Sequence, residues 1–414
     1  MLVKTKLRKS LTRRLMPLHV AAFLQGTLLW LPVEKLFMNE IGFDAASIGV
    51  MAAVYAAVVP IVEVPSGILA DRWSRRGVLV VSSVALTLVS LIGGLSRNVP
   101  MYMLSAVVLG VYFAMYSGTM ESILYDTVLE ETGDSDAFER HFGRIQMVNS
   151  AALVLSSLAG GWLAGLTTTR LTYYVTVPAV AASIVALLRF REPRLHKSEE
   201  KTSLRGHITV TYRTVAQRRR LLPVITLAAL TAVLLQVIFE FGPLWLVALG
   251  AAAVVYGPYM AGLLSALGLG GLLAGRLRLD RPGTLGVAVA LMGLSSLVLT
   301  ASHSILVVTV AQVILALLVV IASIHVTRLL HDAIPSSVRS GVASGVGALS
   351  WLAILPFALA FGLVSKHLGV HAAGWMLVAV TLVASALLAK VTLGPEHEPV
   401  CTRSGEPALA AATA

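Results

Sequence analysis

Apolar runs of membrane length, separated by short polar gaps, recur along the whole chain. A helix that crosses a bilayer needs about 20 largely apolar residues, because each residue advances it about 1.5 Å through a hydrocarbon core about 30 Å thick. Twelve stretches reach that length: 16–38, 45–69, 78–95, 101–128, 142–166, 172–190, 221–247, 253–275, 284–302, 305–330, 341–363 and 371–392. The longest gap, 191–220, carries Lys197, Glu199, Glu200, Lys201, Arg205 and Arg218-Arg219-Arg220 and is too polar to span. Six stretches precede it and six follow. The pattern predicts an all-α membrane protein of 12 transmembrane helices in two six-helix halves. The N-terminal half is placed at 1–190, a linker at 191–220, the C-terminal half at 221–392 and a tail at 393–414.

Charge orients these helices. Only 13% of the 414 residues are charged, against 57% hydrophobic. The net charge of +11 would suggest nucleic acid in a soluble protein, but here the basic residues sit between apolar runs and read as topology signals. With the N-terminus inside, the cytosolic segments hold 28 of the 32 Lys and Arg. The external loops hold Arg97, Arg170 and Lys366, and Lys35 lies near an outer helix end. This bias predicts an integral plasma (bacterial inner) membrane protein with both termini, the linker and the tail in the cytosol. Lys4, Lys6, Arg8, Lys9, Arg13 and Arg14 look like a secretory n-region; no small-residue cleavage site follows, so no cleavage is expected. The linker's basic residues are expected to touch anionic headgroups. The single Cys, Cys401, excludes an internal disulfide framework and Cys-based metal clusters.

One knot of charge stands out between the second and third runs: Gly67-Ile68-Leu69-Ala70-Asp71-Arg72-Trp73-Ser74-Arg75-Arg76-Gly77. Its glycines allow two helices and a tight turn to approach closely, and Asp71 can pair with an Arg or sit at a helix N-terminus. The stretch resembles the signature loop between the second and third helices of the major facilitator superfamily. The preceding Glu63-Val64-Pro65-Ser66 extends the likeness to a bacterial drug-efflux-like branch. Gly271-Leu272-Leu273-Ala274-Gly275-Arg276 echoes Gly67–Arg72 at an offset of 204, with Gly275 in place of Asp71. Duplicated halves about an axis along the membrane normal are the architecture the resemblance implies. Ile334-Pro335-Ser336-Ser337-Val338-Arg339-Ser340-Gly341 resembles the family's second-half turn, and Ser117–Asp126 its fourth-helix signature. Two features depart from proton-driven drug exporters: helix four has no Arg, and Ser156-Ser157 stands where helix five would carry Gly-Pro.

An acid within a span is costly and therefore a functional candidate. Five qualify: Glu34, Glu63, Glu121, Asp126 and Glu240. Glu34, beside Lys35, is either an interfacial snorkelling residue or a proton-coupling candidate. Glu63 and Asp126 are expected beside the gate formed by Gly67, Asp71, Arg72, Arg75, Arg76 and Gly77. Phe113, Ser117, Glu121 and Tyr125 recur every four residues and share one helix face. The resemblance implies that helices one, four, seven and ten line the cavity. The 204-residue offset carries Glu121 onto His325, so the two are expected at similar depth, where a carboxylate and an imidazole can titrate near neutrality. Alternatively, His325 belongs to the cytosolic interface with Arg328. Glu240, among Phe239, Phe241 and Trp245, is a second proton-coupling or cation-binding candidate. Trp30, Tyr112, Tyr116, Gln236, Phe239, Trp245 and Gln312 fall on the four expected cavity helices, as an apolar pocket with a few polar anchors or as helix packing. Gly161-x3-Gly165, Gly271-x3-Gly275 and Gly341-x3-Gly345 permit close helix crossings.

The sequence carries no nucleophile–base pair, no His-x3-His and no Gly-rich phosphate loop, so no enzyme activity, metal site or cofactor is expected. A receptor or scaffold would add a folded soluble domain, and a passive channel would not need a charged gate loop. A small-molecule substrate, protons and membrane lipid are the expected partners of a monomer, with no nucleic acid. The family's sugar symporters tend to line the cavity with many Asn, Gln, Arg and Asp, and few of these lie in the present spans; the resemblance thus implies proton-coupled export of a drug-like or natural-product molecule, with proton-coupled uptake of a small nutrient or metabolite as the alternative.

Overall fold

The structure is a computed structural model that describes residues 2–132, 138–193, 222–274, 276–332 and 339–393. Most of the expected linker and tail, the 333–338 turn, Gly275 and Cys401 lie outside these residues, as do the side chains of Asp71 and Ser117. The described residues form fourteen α-helices and one 3-10 turn. In the first half these are α1 (Leu2–Gln25), the 3-10 turn Leu31–Val33, α2 (Glu34–Glu40), α3 (Ala45–Arg72), α4 (Arg75–Leu95), α5 (Val99–Thr132), α6 (Phe138–Leu166) and α7 (Thr169–Leu188). In the second they are α8 (Leu222–Phe241), α9 (Pro243–Ala248), α10 (Ala253–Ala274), α11 (Pro282–Ala301), α12 (Ile305–Asp332), α13 (Arg339–Leu368) and α14 (Val370–Leu393). Eleven segments are long and apolar enough to cross a membrane, with α8 and α9 counted as one. The first expected span is not among these eleven, because its helix is divided.

That division corrects the expectation of a continuous helix over 16–38. α1 ends at Gln25 and the chain turns irregularly through Gly26–Trp30 before the 3-10 turn. A break inside a membrane is tolerated only where neighbours satisfy the freed backbone groups. Ser156 Oγ on α6 accepts from the Leu28 N–H at 3.2 Å and donates to the Gly26 carbonyl at 3.0 Å. Thr176 Oγ1 on α7 accepts from the Leu29 N–H at 3.1 Å. The indole of Trp30 donates to Ser90 on α4 and stacks on Tyr173 with ring centroids 5.3 Å apart. Ser156, noted for standing where drug exporters carry Gly-Pro, is thus occupied in holding the broken helix.

Among the described residues the two halves meet at one end of the bundle, α3 packing on α13 and α6 on α10. Glycine makes both crossings possible: a Cβ on Gly49 would lie 2.6 Å from the Ala358 carbonyl, and one on Gly161 2.5 Å from the Gly257 nitrogen. At this end Lys366 on α13 bridges to Asp44 at 2.8 Å. Asp44 also caps α3, accepting from the Ser47 N–H at 2.8 Å. The deepest described ring contact between halves is Tyr55 on Trp351, 5.6 Å between centroids. Toward the opposite end α3 and α10 carry exposed Glu63, Ile68, Leu69, Leu269 and Leu272.

Candidate functional site

Three charged side chains converge where the halves touch. Lys35, in the first turn of α2 just past the helical break, is 2% exposed. Its ammonium donates to Glu240 near the end of α8 and lies 3.2 Å from Glu34 Oε2. Tyr102 on α5 donates to the other oxygen of Glu34 at 2.9 Å, and its hydroxyl is 2.8 Å from that of Tyr173 on α7. Glu34 and Glu240 keep 15% and 17% of their side-chain surface exposed. Two carboxylates thus share one ammonium. Burying an ion pair costs several kcal/mol of desolvation per charge, so an arrangement like this persists only with close partners on every charge.

Glu34 sits just past the break in the first span. Near Glu240 the chain passes from α8 to α9 through Gly242, whose backbone stays helical at φ −52° and ψ −42°, and Pro243, which brings no N–H to the helix ladder. Gln312 on α12 donates to the Gly242 carbonyl at 3.3 Å and accepts from the Tyr259 hydroxyl, bracing this junction. Unwound backbone beside a charged side chain, as at Gly26–Trp30, is how transporters build ion and substrate sites at membrane depth.

At the opposite end the basic loop is a braced hairpin. Arg75 reaches Asp126 on α5 at 2.5 Å. Glu192, just beyond α7, accepts from Ser74 Oγ and from the Arg75 N–H, both at 2.6 Å, and from the Arg76 N–H at 3.3 Å. A carboxylate on the free N–H groups that open α4 is favoured by the helix dipole. Ser74 Oγ accepts from the Gly77 N–H at 2.8 Å, and Arg76 donates to the Phe190 carbonyl at 3.2 Å. A Cβ on Gly77 would meet the Trp73 ring at 2.9 Å, which accounts for glycine there. Arg72 is exposed. Glu63, Gly67 and Arg75 line a cleft of about 240 Å³ between α3 and α5, with Ser66, Gly118 and Ser122.

The remaining candidates fall in different places. Glu121 is exposed on α5, along with Phe113 and Tyr125 on its own face. His325 is 8% exposed and turns toward α14 and the loop before α11: Thr392 lies at 3.2 Å, Arg328 at 3.4 Å and Asp280 at 3.8 Å. Its described partners are therefore all in its own half. Trp30, Tyr112, Trp245 and Gln312 are buried. Trp245 donates its indole N–H to the Leu299 carbonyl at 2.8 Å. Tyr112 stacks on Tyr116 at 5.5 Å, and Tyr116, Gln236 and Phe239 stay half-buried. The sequence reading left Lys35, Glu192 and Ser156 out of the candidate list. Lys35 carried a signal, being the one lysine at the end of an apolar run with an acid beside it.

The sequence profile of the Major Facilitator Superfamily matches residues 15–355. Among curated relatives, Multidrug resistance protein 1 of Bacillus subtilis (strain 168) is 22% identical over 202 residues, 49% of this chain and 50% of that protein. Quinolone resistance protein NorA of Staphylococcus aureus is 19% identical over 169 residues, 41% of this chain and 42% of its own length. The chain thus matches about half the length of these relatives or less. Solved structures align almost end to end at 14–15% identity. The nucleoside transporter NupG gives a TM-score of 0.71 over 92% of this chain and 97% of its own. A bacterial homologue of the lysosomal transporter Spinster, inward-facing and unoccupied, gives 0.74 over 93% and 97%. A D-xylose–proton symporter gives 0.65 over 91% and 96%.

Proposed function

The chain belongs to the major facilitator superfamily and is an integral, multi-pass membrane protein; from that premise we propose that it is a transporter that exports a drug-like or natural-product molecule in exchange for protons. The observation that carries this reading is the position of the described contacts between halves. They cluster at the Asp44–Lys366 end, while the arginine-rich hairpin end shows exposed faces. With the hairpin in the cytosol, as the distribution of Lys and Arg favours, the described residues fit a state closed toward the outside. Alternating access then needs a group whose charge depends on the side it faces. The carboxylates of Glu34, Glu240 and Glu121 are the candidates, and Glu240 has the advantage of standing at the seam. The drug-resistance relatives support export over uptake. Asp71 and the arginines of the hairpin serve, on this reading, as the cytosolic gate.

The test is a susceptibility panel in an efflux-deficient host expressing the chain, with and without an uncoupler. Export predicts raised tolerance to one or more amphiphilic compounds, erased by the uncoupler. Energised accumulation of a solute inside cells, with no change in tolerance, would establish uptake instead.

A further inference from the structure

We propose that Lys35 is the tie that couples closure of the halves to the charge state of the site: it clamps α2 to α8 through Glu240, and swings to Glu34 when Glu240 takes up a cation. This rests on the alternating-access reading above and adds the device that drives it.

Three observations carry it. First, Lys35 and Glu240 are 205 residues apart and belong to opposite halves, and their contact leaves only 3% and 17% of the two side chains exposed, whereas the Asp44–Lys366 bridge at the rim leaves 46% of each exposed. A deep pair feels little screening, so its making or breaking weighs more on the closed state than the rim bridge does. Second, the cluster has an excess of one negative charge: two carboxylates against one ammonium. A single monovalent cation, a proton or the ammonium of a solute, neutralises it. Third, the two partners of the clamp are unequally provided for. Lys35 already lies 3.2 Å from Glu34 on its own helix, so parting from Glu240 leaves it paired. Glu240 has Lys35 as its described polar partner, and that partner comes from the other half. If the halves separate while Glu240 is ionised, a carboxylate is left at membrane depth without a counter-ion, which is strongly disfavoured. Separation at this end therefore follows uptake of a cation by Glu240.

The groups facing the cluster make it a two-position switch. Tyr102 on α5 holds Glu34 and is itself hydrogen-bonded to Tyr173 on α7, and Tyr55 on α3 lies within electrostatic reach of both acids. Further along α2, Glu40 accepts from Thr169 and Arg170 lies over the Phe37 ring, 5.1 Å from its centroid, so both are already engaged. On the α8 side the described neighbours are aromatic: Phe241 packs on Phe361, 4.7 Å between centroids.

The test reads the separation directly and needs no substrate. In full-length protein with Cys401→Ser, nitroxide labels are placed on Arg97→Cys and His367→Cys, two exposed positions at the closed end in opposite halves. Their distance distribution is measured by double electron–electron resonance in purified protein at neutral and mildly acid pH. The parent should show one close population at neutral pH, with a separated population gaining about tenfold on acidification, within the usual range of coupling between sites. Glu240→Gln should show the separated population at both pH values. Lys366→Gln, which breaks only the rim bridge, should keep the pH response. Lys35→Met with Glu240→Leu replaces the pair by apolar side chains of similar volume, a change folds often tolerate; it should also abolish the response. Retention of the parental distribution and response in Glu240→Gln and in the double variant overturns the proposal. So does a response lost in Lys366→Gln but kept in Glu240→Gln. A blank susceptibility panel would count against export and leave these distances untouched.

Discussion

Gly49→Ala isolates how tightly this state is held shut. The crossing of α3 and α13 is glycine on glycine: a Cβ at position 49 would lie 2.6 Å from the Ala358 carbonyl oxygen and 3.1 Å from the Gly362 Cα. Ordinary contact begins near 3.4 Å, so one helix must retreat by about 0.8 Å, and because the obstructing atoms are backbone, no rotamer change relieves it. Overpacking of this kind costs about 1–3 kcal/mol. The alanine also stabilises the helix by up to about 1 kcal/mol, but equally in every state of the transporter, so that gain cancels in the conformational balance. The two helices belong to different halves, and the penalty therefore falls on the closed arrangement and not on either half's fold. A shift of about 5- to 150-fold toward separation at this end is expected. The Arg97 and His367 labels read it, and Gly293→Ala, in the middle of α11 with nothing within 4 Å of the added Cβ, is the matched control. An unchanged distance distribution in Gly49→Ala, in protein as thermally stable as the parent, would refute the reasoning.

Other outcomes follow from the same geometry. Ser156→Ala removes the hydroxyl that bridges the Leu28 N–H and the Gly26 carbonyl, leaving them only their mutual bond at 3.0 Å, and should lower stability by about 1 kcal/mol, read as a drop in the thermal unfolding midpoint. The Asp44 carboxyl is held below its usual range by Lys366 and by the Ser47 N–H. The rim bridge is therefore present above about pH 4 and is lost only as pH falls through that lowered value. Asp44→Asn removes that bridge wherever the parent has it, so it should loosen the closed end by a constant amount between about pH 5 and 8 without changing the shape of the response there, and the difference from the parent should fade only at strongly acid pH, all read from the same label distances. Glu121→Gln mimics a protonated carboxylate and should abolish gradient-driven transport in proteoliposomes while keeping solute exchange. If accumulation against a gradient survives, Glu121 is a structural acid.

The helices were legible because their apolar length is a local property, and the hairpin was legible because its charges are contiguous. The break in the first span was not, since Gly26-Thr27-Leu28-Leu29-Trp30 is as apolar as its surroundings. What permits the break is a serine and a threonine more than 120 residues downstream. The repeat offset that carried Glu121 onto His325 aligns positions on helices, but it does not report the described partners of the imidazole, Thr392 and Asp280, which lie in its own half. Glu34 and Glu240 were readable as costly acids in membrane spans. Their shared partner was not, because Lys35 looks like a residue at a helix end until α2 is known to lie against α8.

The broken first helix also sets an order on biogenesis. Leaving a ribosome, residues 26–33 would enter the bilayer with backbone groups that lipid cannot satisfy. Their partners, Ser156 and Thr176, sit on the fifth and sixth spans, so the first segment cannot reach its final shape until those spans have been made. Until then a continuous helix through Gly26–Trp30 is the cheaper form, with every amide bonded within the segment. Lys35 would then be carried on a different helical face from the one it finally presents. The first span is thus among the first to be synthesised and among the last of its half to mature. Truncated nascent chains ending before and after α7 should differ in the protection of the Leu28 and Leu29 amides from hydrogen exchange.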